Sequence, residues 1–412
     1  MLKNENQKKL MLISVILNSL CAVIFMPIIT RSYGADDLSI ITTVIFIGVM
    51  FGMVDSVRPV YVHGFSSLSF ISVKDVFFYP VFFNFILSLV LFFFVYTLNI
   101  FSNVDCFLIF ISAFLYLTSM PFLGFLDSKG MVGFSSMLRA VSVFIVYFQY
   151  SVFNFFNFVS VPLVVSNVVF LSVSVFACFR FLKNGKSDFN NSFFKRIIKT
   201  FGQNVFKLII DFTDRLFVAK FVGGDFVGVY NAIYELSSKS NFISSVYSSY
   251  NYPQLCLKRT REVRFISTGN CISFFLLILS ILCWFFGDIF MLFYLGEGFA
   301  NTGADVAIML SISAIYSLSF FYQSIFRAND RFGELTKLFS FSAISGLVLI
   351  FPLYISIGIK GIYISLFILK SPGAICSFFY SANDSNTLFD ISSKVLPLII
   401  TSVFFFFVVS YG

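Results

Sequence analysis

The sequence has little charge and few of the residues that enzymes use for metal binding or acid–base chemistry. Only 12% of its 412 residues are charged, and it contains one histidine, His63, and one tryptophan. Its seven cysteines are scattered, without the Cys-x-x-Cys spacing of zinc and redox sites. The Gly-x-x-x-x-Gly-Lys-Ser/Thr motif that cradles nucleotide phosphates is also absent. The sequence therefore predicts neither an enzyme nor a bound cofactor or metal.

The sequence is instead rich in apolar residues. They make up 58% of the chain, with 63 phenylalanines, and the mean hydropathy is +0.92, whereas average proteins are about 45–50% apolar. Runs long enough to cross about 30 Å of hydrocarbon, which takes ~20 residues, predict an all-α polytopic membrane bundle with a retained first helix. The runs fall near 10–30, 38–57, 76–99, 104–126, 136–154, 158–182, 197–222, 227–254, 265–287, 303–326, 337–357, 360–382 and 394–411.

The basic residues are unevenly distributed among the connections. With a cytoplasmic N-terminus, the outer connections contain only Arg31 and Lys360, and nearly all other loop lysines and arginines fall on the inner side. This is the positive-inside bias of membrane proteins. It explains the net charge of +8 without a nucleic-acid partner, and it predicts a multi-pass protein with its N-terminus in the cytoplasm.

The chain has signs of an internal repeat. "RSYGAD" after the first span is similar to "KFVGGD" after the seventh, and "DSKG" after the fourth is similar to "DRFG" after the tenth. Such repeats, with a binding site at their interface, are typical of secondary transporters. We predict an N-terminal six-helix bundle at 1–182, a cytoplasmic linker at 183–196, a C-terminal six-helix bundle at 197–382 and an extra transmembrane segment at 383–412.

Charged residues recur at helical spacing inside two spans, where each costs about 3 kcal/mol on insertion scales unless it is sheltered. They are Lys207, Asp211, Asp214 and Arg215 in the seventh span and Glu235 and Lys239 in the eighth. The spacing permits i,i+4 pairs of Asp211 with Lys207 and with Arg215. Two interpretations remain open, a salt-bridged seam and the wall of an aqueous cavity. The many Ser, Asn and Tyr residues of the eighth span favour the cavity.

Further charged residues lie within other spans or at their ends. Asp55 and Arg58 lie at the inner end of the second span, where snorkelling to the interface is an equally good interpretation. Lys370 precedes Pro372 and Gly373, which can break a helix. Because such breaks are tolerated only where protein or a cavity covers them, we expect Lys370 to face the interior. A shifted span with Lys370 near the interface is the alternative.

Three stretches resemble the multidrug/oligosaccharidyl-lipid/polysaccharide (MOP) exporter superfamily. They are "PIITRSYGADDLSIITTVIFIGVMFGMVDSVRPVY", "DRLFVAKFVGGDFVGVYNAIYELSSK" and "FYLGEGFANTGADVAIMLSISAIY". The resemblance covers most of residues 1–382, and within the superfamily it is greatest to the O-antigen flippases (Wzx type) of Gram-negative bacteria. The chain departs from the pattern of the superfamily in two ways. Its first span has no mid-membrane arginine, and it has a thirteenth span.

The resemblance implies two six-helix halves around a central cavity. It implies that they move an undecaprenyl-pyrophosphate-linked O-antigen repeat unit from the cytoplasmic to the periplasmic leaflet of the bacterial inner membrane. The implied partners are membrane lipid, an O-antigen polymerase and a chain-length regulator, and the implied state is a monomer. The candidate contacts for pyrophosphate and sugar are Lys207, Arg215, Lys239, Arg58, Arg31 and Lys370. The candidates for charge balance or proton coupling are Asp211, Asp214, Glu235 and Asp55.

Two other functions compete with a flippase. A cation-coupled multidrug exporter would have the same fold, although cationic cavity residues disfavour cationic drugs. An O-antigen polymerase is also a many-span protein, but we expect it to carry a long periplasmic loop with functional arginines. The longest outer connection here, about 288–302, is short and has no arginine.

Overall fold

The part of the chain that the structure describes is folded mainly into α-helices. The computed structural model describes residues 4–33, 35–54, 58, 71–72, 79–99, 101–153, 158–183, 205–223, 225–256, 262–329, 331–372 and 388–411. Within these residues thirteen α-helices follow one another, and each coincides with one of the predicted spans. They are α1 Asn4–Ser32, α2 Ala35–Val54, α3 Tyr79–Leu98, α4 Asn103–Ser128, α5 Val132–Val152, α6 Val161–Cys178, α7 205–217, α8 Asp225–Cys256, α9 Glu262–Leu295, α10 Gly303–Ala328, α11 Phe332–Ile357, α12 Ile359–Lys370 and α13 Leu388–Tyr411.

Eight of the helices in the described residues are long and apolar enough to cross a membrane. A helix satisfies its backbone hydrogen bonds within itself, which is why it can enter hydrocarbon. The outer surfaces are correspondingly apolar: Phe176 on α6 and Phe293 on α9 are both more than 80% exposed. These surfaces are suited to contact with lipid chains.

The chain divides into two compact units. The first contains Met1–Leu208 and Ala219–Gly228, and the second contains Ile209–Val218 and Val229–Gly412. Most of the predicted linker, 183–196, lies outside the described residues. The division into domains predicted from the sequence stays a prediction.

The first unit is built from α1 to α6. In it α1 packs along α5, and α4 packs between α3 and α6. Neutral polar side chains join the helices: Asn84 of α3 donates to the Leu117 carbonyl oxygen of α4 at 2.8 Å, and Asn167 of α6 donates to the Ser112 hydroxyl at 2.7 Å. A two-residue parallel bridge pairs Ile71–Ser72 with Leu182–Lys183.

The second unit contains most of α7 and the helices from α8 onward. Its largest helix contact is between α9 and α10. A tight turn at Gly358, with φ 65°, joins α11 to α12, and the backbone of Leu353 leaves no room for a side chain at Gly361. The extra helix α13 packs on α9, α10 and α12, where Phe405 stacks on Phe367 with ring centroids 4.4 Å apart.

The described helices support the internal repeat. Both α4 and α10 are 26 residues long, beginning at Asn103 and Gly303. Each has an aspartate in its first turn, Asp105 and Asp305. Counting from each start, Tyr116 corresponds to Tyr316, and Ser119 corresponds to Ser319. These matches align the fourth helix of each six-helix set residue by residue.

Gly133→Ala tests the close approach of α1 to α5. A methyl group at Gly133 would clash with the backbone carbonyl of Gln7, whose side-chain oxygen accepts from the Phe134 N–H at 3.2 Å. Overpacking of this kind costs about 1–3 kcal/mol. We expect a lower apparent melting temperature of the detergent-purified protein. Gly298→Ala is the matched control, since nothing lies within 4 Å of a methyl group there; equal melting temperatures for the two variants would contradict the packing.

Candidate functional site

The polar face of α7 is buried. Asp211, Asp214 and Arg215 are 5%, 0% and 6% exposed. They lie three and four residues apart, so one side of the helix carries all three. The prediction that α7 turns a charged stripe away from lipid agrees with this burial.

The ion pair of Asp211 is made with another helix. Lys370, the last residue of α12, places its ammonium on Asp211 Oδ1, and the lysine is 3% exposed. The expected interior position of Lys370 is therefore confirmed. The interpretation that Asp211 pairs along its own helix with Lys207 or Arg215 is replaced by this contact between α7 and α12.

Glu235 of α8 joins two cations. Its carboxylate lies 3.7 Å from Arg215 Nη1 and 2.6 Å from Lys239 Nζ, one turn further along α8. The Arg215 guanidinium also lies over the Tyr234 ring, 3.6 Å from its centroid. A planar guanidinium on an aromatic face is a favourable cation–π arrangement when it is desolvated. Arg215 is thus oriented by one carboxylate and one ring.

Asp214 differs from the other carboxylates. Its Oδ2 accepts from the Tyr230 hydroxyl at 2.6 Å, and its Oδ1 is buried without a hydrogen-bond partner among the described residues. Within the same residues it has no ion pair. Asp214 is therefore the carboxylate whose negative charge is least compensated by direct contact.

We call this group the ion cluster. Its members are Asp211, Asp214, Arg215, Glu235, Lys239 and Lys370. All of them belong to the second unit. The structure closes their side chains against one another as an ion-paired seam, and the most exposed is Lys239, whose side chain is 18% exposed. The alternative that the sequence favoured, the wall of an aqueous cavity, stays a prediction.

Tyrosines surround the ion cluster, and the sequence analysis assigned none of them an individual role. The Lys370 ammonium lies 4.3 Å from the Tyr316 ring centroid and 5.8 Å from that of Tyr234. The Tyr230 ring stacks on Tyr363, whose hydroxyl donates to Asp305 at 2.7 Å. The available signal was the i,i+4 spacing of Tyr230 and Tyr234, which places both rings on one face of α8.

The remaining candidate residues lie in the first unit or outside the described residues. Arg58 pairs with Asp127 of α4 at 2.5 Å, and Ser135 of α5 donates to the same carboxylate, so this arginine joins helix ends instead of snorkelling freely. Arg31 is exposed in the last turn of α1. Lys207 of α7 is half-buried. Asp55 lies outside the described residues.

No group of three His, Cys, Asp or Glu side chains that could hold a metal ion occurs in the part of the chain that the structure describes. The ion cluster is an alternative kind of polar site. It combines ammonium and guanidinium donors, suited to phosphate, with carboxylates that can exchange protons.

Comparison with known proteins shows similarity at the level of structure. No protein-family model matches the chain, and no curated protein matches it. A crystal structure of a eukaryotic MATE transporter matches with a TM-score of 0.63 at 11% identity, over 96% of this chain and 98% of that one. Lipid II flippase MurJ, in an inward closed conformation, matches with a TM-score of 0.62 at 15% identity, over 97% and 92%. An inward-facing multidrug resistance MATE family transporter of the MOP superfamily matches with a TM-score of 0.58 at 14% identity, over 92% and 95%.

The chain shares its fold with these solved structures. The predicted all-α fold class is confirmed. At sequence identities of 11%, 15% and 14%, the similarity to these structures shows a shared fold alone. Together with the eight helices able to cross a bilayer, it makes the chain a multi-pass membrane protein.

Lys370→Met tests the ion pair with Asp211. The variant leaves a buried carboxylate without its cation, which typically costs about 3–5 kcal/mol. We expect a large drop in apparent melting temperature, and recovery in the double variant Lys370→Met/Asp211→Asn, which removes both charges. Arg331→Ala is the control, because the Arg331–Glu334 pair is exposed and contributes little. A Lys370→Met variant as stable as the wild type would contradict the ion pair of Lys370 with Asp211.

Proposed function

We propose that the chain is a flippase that moves an undecaprenyl-pyrophosphate-linked O-antigen repeat unit from the cytoplasmic to the periplasmic leaflet of the bacterial inner membrane. The movement would use alternating access of the two halves. The fold supports a transporter, and one structure that shares it is described as a lipid II flippase. A sugar head group is too polar to cross hydrocarbon, whereas the lipid tail can remain in the bilayer. The protein therefore has to supply polar groups at membrane depth, where they are costly and usually functional.

The observation that carries the proposal is a difference between repeated positions. In the first unit Tyr116 stacks on Phe170, with ring centroids 5.5 Å apart. At the corresponding positions of the second unit, the Tyr316 ring contacts the ammonium of Lys370. Because a phenylalanine fills this position in one unit, the fold does not require a lysine there. A buried ion pair is weak evidence for stability, so we assign Lys370 and its partners to the binding of substrate and coupling ion.

The composition of the ion cluster suggests how proton binding controls substrate binding. Its three cations and three carboxylates cancel when all are ionised. Asp211 and Glu235 are paired, so Asp214 is our candidate for the coupling proton. Protonation of Asp214 leaves one net positive charge, which attracts a pyrophosphate through charge-assisted hydrogen bonds. Loss of the proton restores neutrality and weakens that attraction. The cations are Arg215, Lys239 and Lys370.

A multidrug exporter is the second candidate, because several structures that share the fold are described as multidrug transporters. The equal numbers of cations and carboxylates in the ion cluster mean that its net charge does not repel a cationic drug when Asp214 is ionised. Efflux of a cationic dye from cells that express the protein separates the two candidates. Dye efflux without an effect on surface O-antigen would replace the flippase proposal.

The double variant Lys370→Met/Asp211→Asn tests the substrate role. It removes both charges together, so the fold is preserved, but the lysine that would attract the pyrophosphate is lost. We expect loss of O-antigen display when it replaces the wild type in cells whose display depends on this protein, at equal protein level. Phe170→Met, at the corresponding position of the first unit, is expected to retain display. Surface O-antigen at wild-type amounts in the double variant would remove Lys370 from the site.

Asp214→Asn tests the coupling proton. The amide oxygen can still accept from Tyr230, but the side chain no longer binds and releases a proton. We expect translocation of a lipid-linked oligosaccharide in proteoliposomes to lose its response to an imposed pH gradient, which is worth about 1.4 kcal/mol per pH unit for one proton. Asp305→Asn is the matched control, since Asp305 also accepts from a tyrosine but lies outside the ion cluster. An unchanged response in Asp214→Asn would assign the proton elsewhere.

A further inference from the structure

Helix α10 holds α8 and α9 at two levels of the second unit. At the first level Ser313 donates to the Ser237 carbonyl oxygen at 3.3 Å, and Ser273 donates to the Ala314 carbonyl oxygen at 2.8 Å. The second level lies nearer the connection between α8 and α9 and is formed by three aromatic rings with centroids 4.8 to 5.9 Å apart. These rings, which we call the aromatic plug, are Tyr247 of α8, Phe265 of α9 and Phe321 of α10.

Polar side chains occupy the interval between the two levels on all three helices. On α8, Ser244 lies seven residues after Ser237 and three before Tyr247, so all three share one face. On α9, Asn270 lies three residues from Ser273 and next to Gly269, where a side chain would press on the Phe321 ring. We call this interval the polar layer. Its residues are Asn241 and Ser244 of α8, Asn270 of α9 and Ser317 of α10.

Three atoms of the polar layer are buried without a hydrogen-bond partner in the described part of the chain. They are Asn241 Oδ1, Ser244 Oγ and Asn270 Oδ1. Ser244 is fully buried. A buried polar group left unsatisfied costs about 1–3 kcal/mol, and three in one layer would be a heavy cost for a single unit. By contrast, the Ser317 hydroxyl donates a hydrogen bond to the Ala314 carbonyl oxygen at 2.8 Å.

We propose that the polar layer is a buried water-binding site, closed at one end by the aromatic plug. Water can both donate and accept, and a buried water typically makes about 3 hydrogen bonds, so it can satisfy oxygens such as these. A metal cation is disfavoured, because the polar layer supplies neutral oxygens and no carboxylate.

Thiol accessibility tests the water site without any transport assay, so its result does not depend on the proposed function. In the full-length protein with its seven cysteines replaced, we compare Ser244→Cys with Ser280→Cys. Both serines are fully buried, but Ser280 donates to the Ala307 carbonyl oxygen. The probe is 2-aminoethyl methanethiosulfonate, a small water-soluble reagent that reacts with the thiolate. We expect Ser244→Cys to react at least about tenfold faster, because each unit by which dry surroundings raise a thiol pKa lowers the thiolate fraction tenfold.

The aromatic plug is tested in the same background. Adding Phe321→Ala to Ser244→Cys is expected to speed the reaction further, whereas adding it to Ser280→Cys is expected to leave the rate unchanged. Equal rates for Ser244→Cys and Ser280→Cys in the intact plug would overturn the water site. Protection of Ser244→Cys by sodium relative to choline would also overturn it, since the layer would then bind a metal cation. The first comparison does not depend on whether the Phe321→Ala variant folds.

Discussion

The interior of the second unit is arranged around one interaction, the buried contact of Lys370 with Asp211. Neither charge is tolerable alone in a low-dielectric interior, where an isolated ion costs several kcal/mol. Together, with the faces of Tyr316 and Tyr234 beside the ammonium, they form a compensated pair. The pair joins α7 to α12, which are the two ends of a six-helix set. It therefore forms only when the helices between them are in place.

The two units use the same framework with different chemistry. In the first unit, neutral side chains such as Asn84 and Asn167 join the helices, and the Arg58–Asp127 pair joins helix ends. In the second unit the corresponding interior contains the ion cluster. Neutral polar contacts of this kind stabilise membrane helices modestly, by about 0.6 kcal/mol on average. Among the described residues, the larger group of buried charged side chains therefore lies in the second unit.

The helices were predictable from the sequence because their signal is local. An apolar run of sufficient length has to become a helix in hydrocarbon, and every predicted span coincides with a described helix. Helical spacing also identified the buried face of α7. The partners were not predictable in this way: spacing within one helix suggested that Asp211 pairs with Lys207 or Arg215, whereas its cation comes from Lys370. That choice depends on packing between helices, which no local pattern encodes. The positions of the tyrosines around the ion cluster were not predicted for the same reason, because these rings come from three different helices.

Helix α12 has a consequence for how the protein is made. Its 12 residues span about 18 Å at 1.5 Å per residue, which is well short of the hydrocarbon thickness, and it ends in a lysine. Such a segment is a poor substrate for insertion on its own. The turn at Gly358 ties it to the apolar α11, and Phe367, one turn before Lys370, stacks on Phe405 of α13. Insertion of α12 is therefore expected to be coupled to its neighbours on both sides, to α11 through the turn and to α13 through the ring contact.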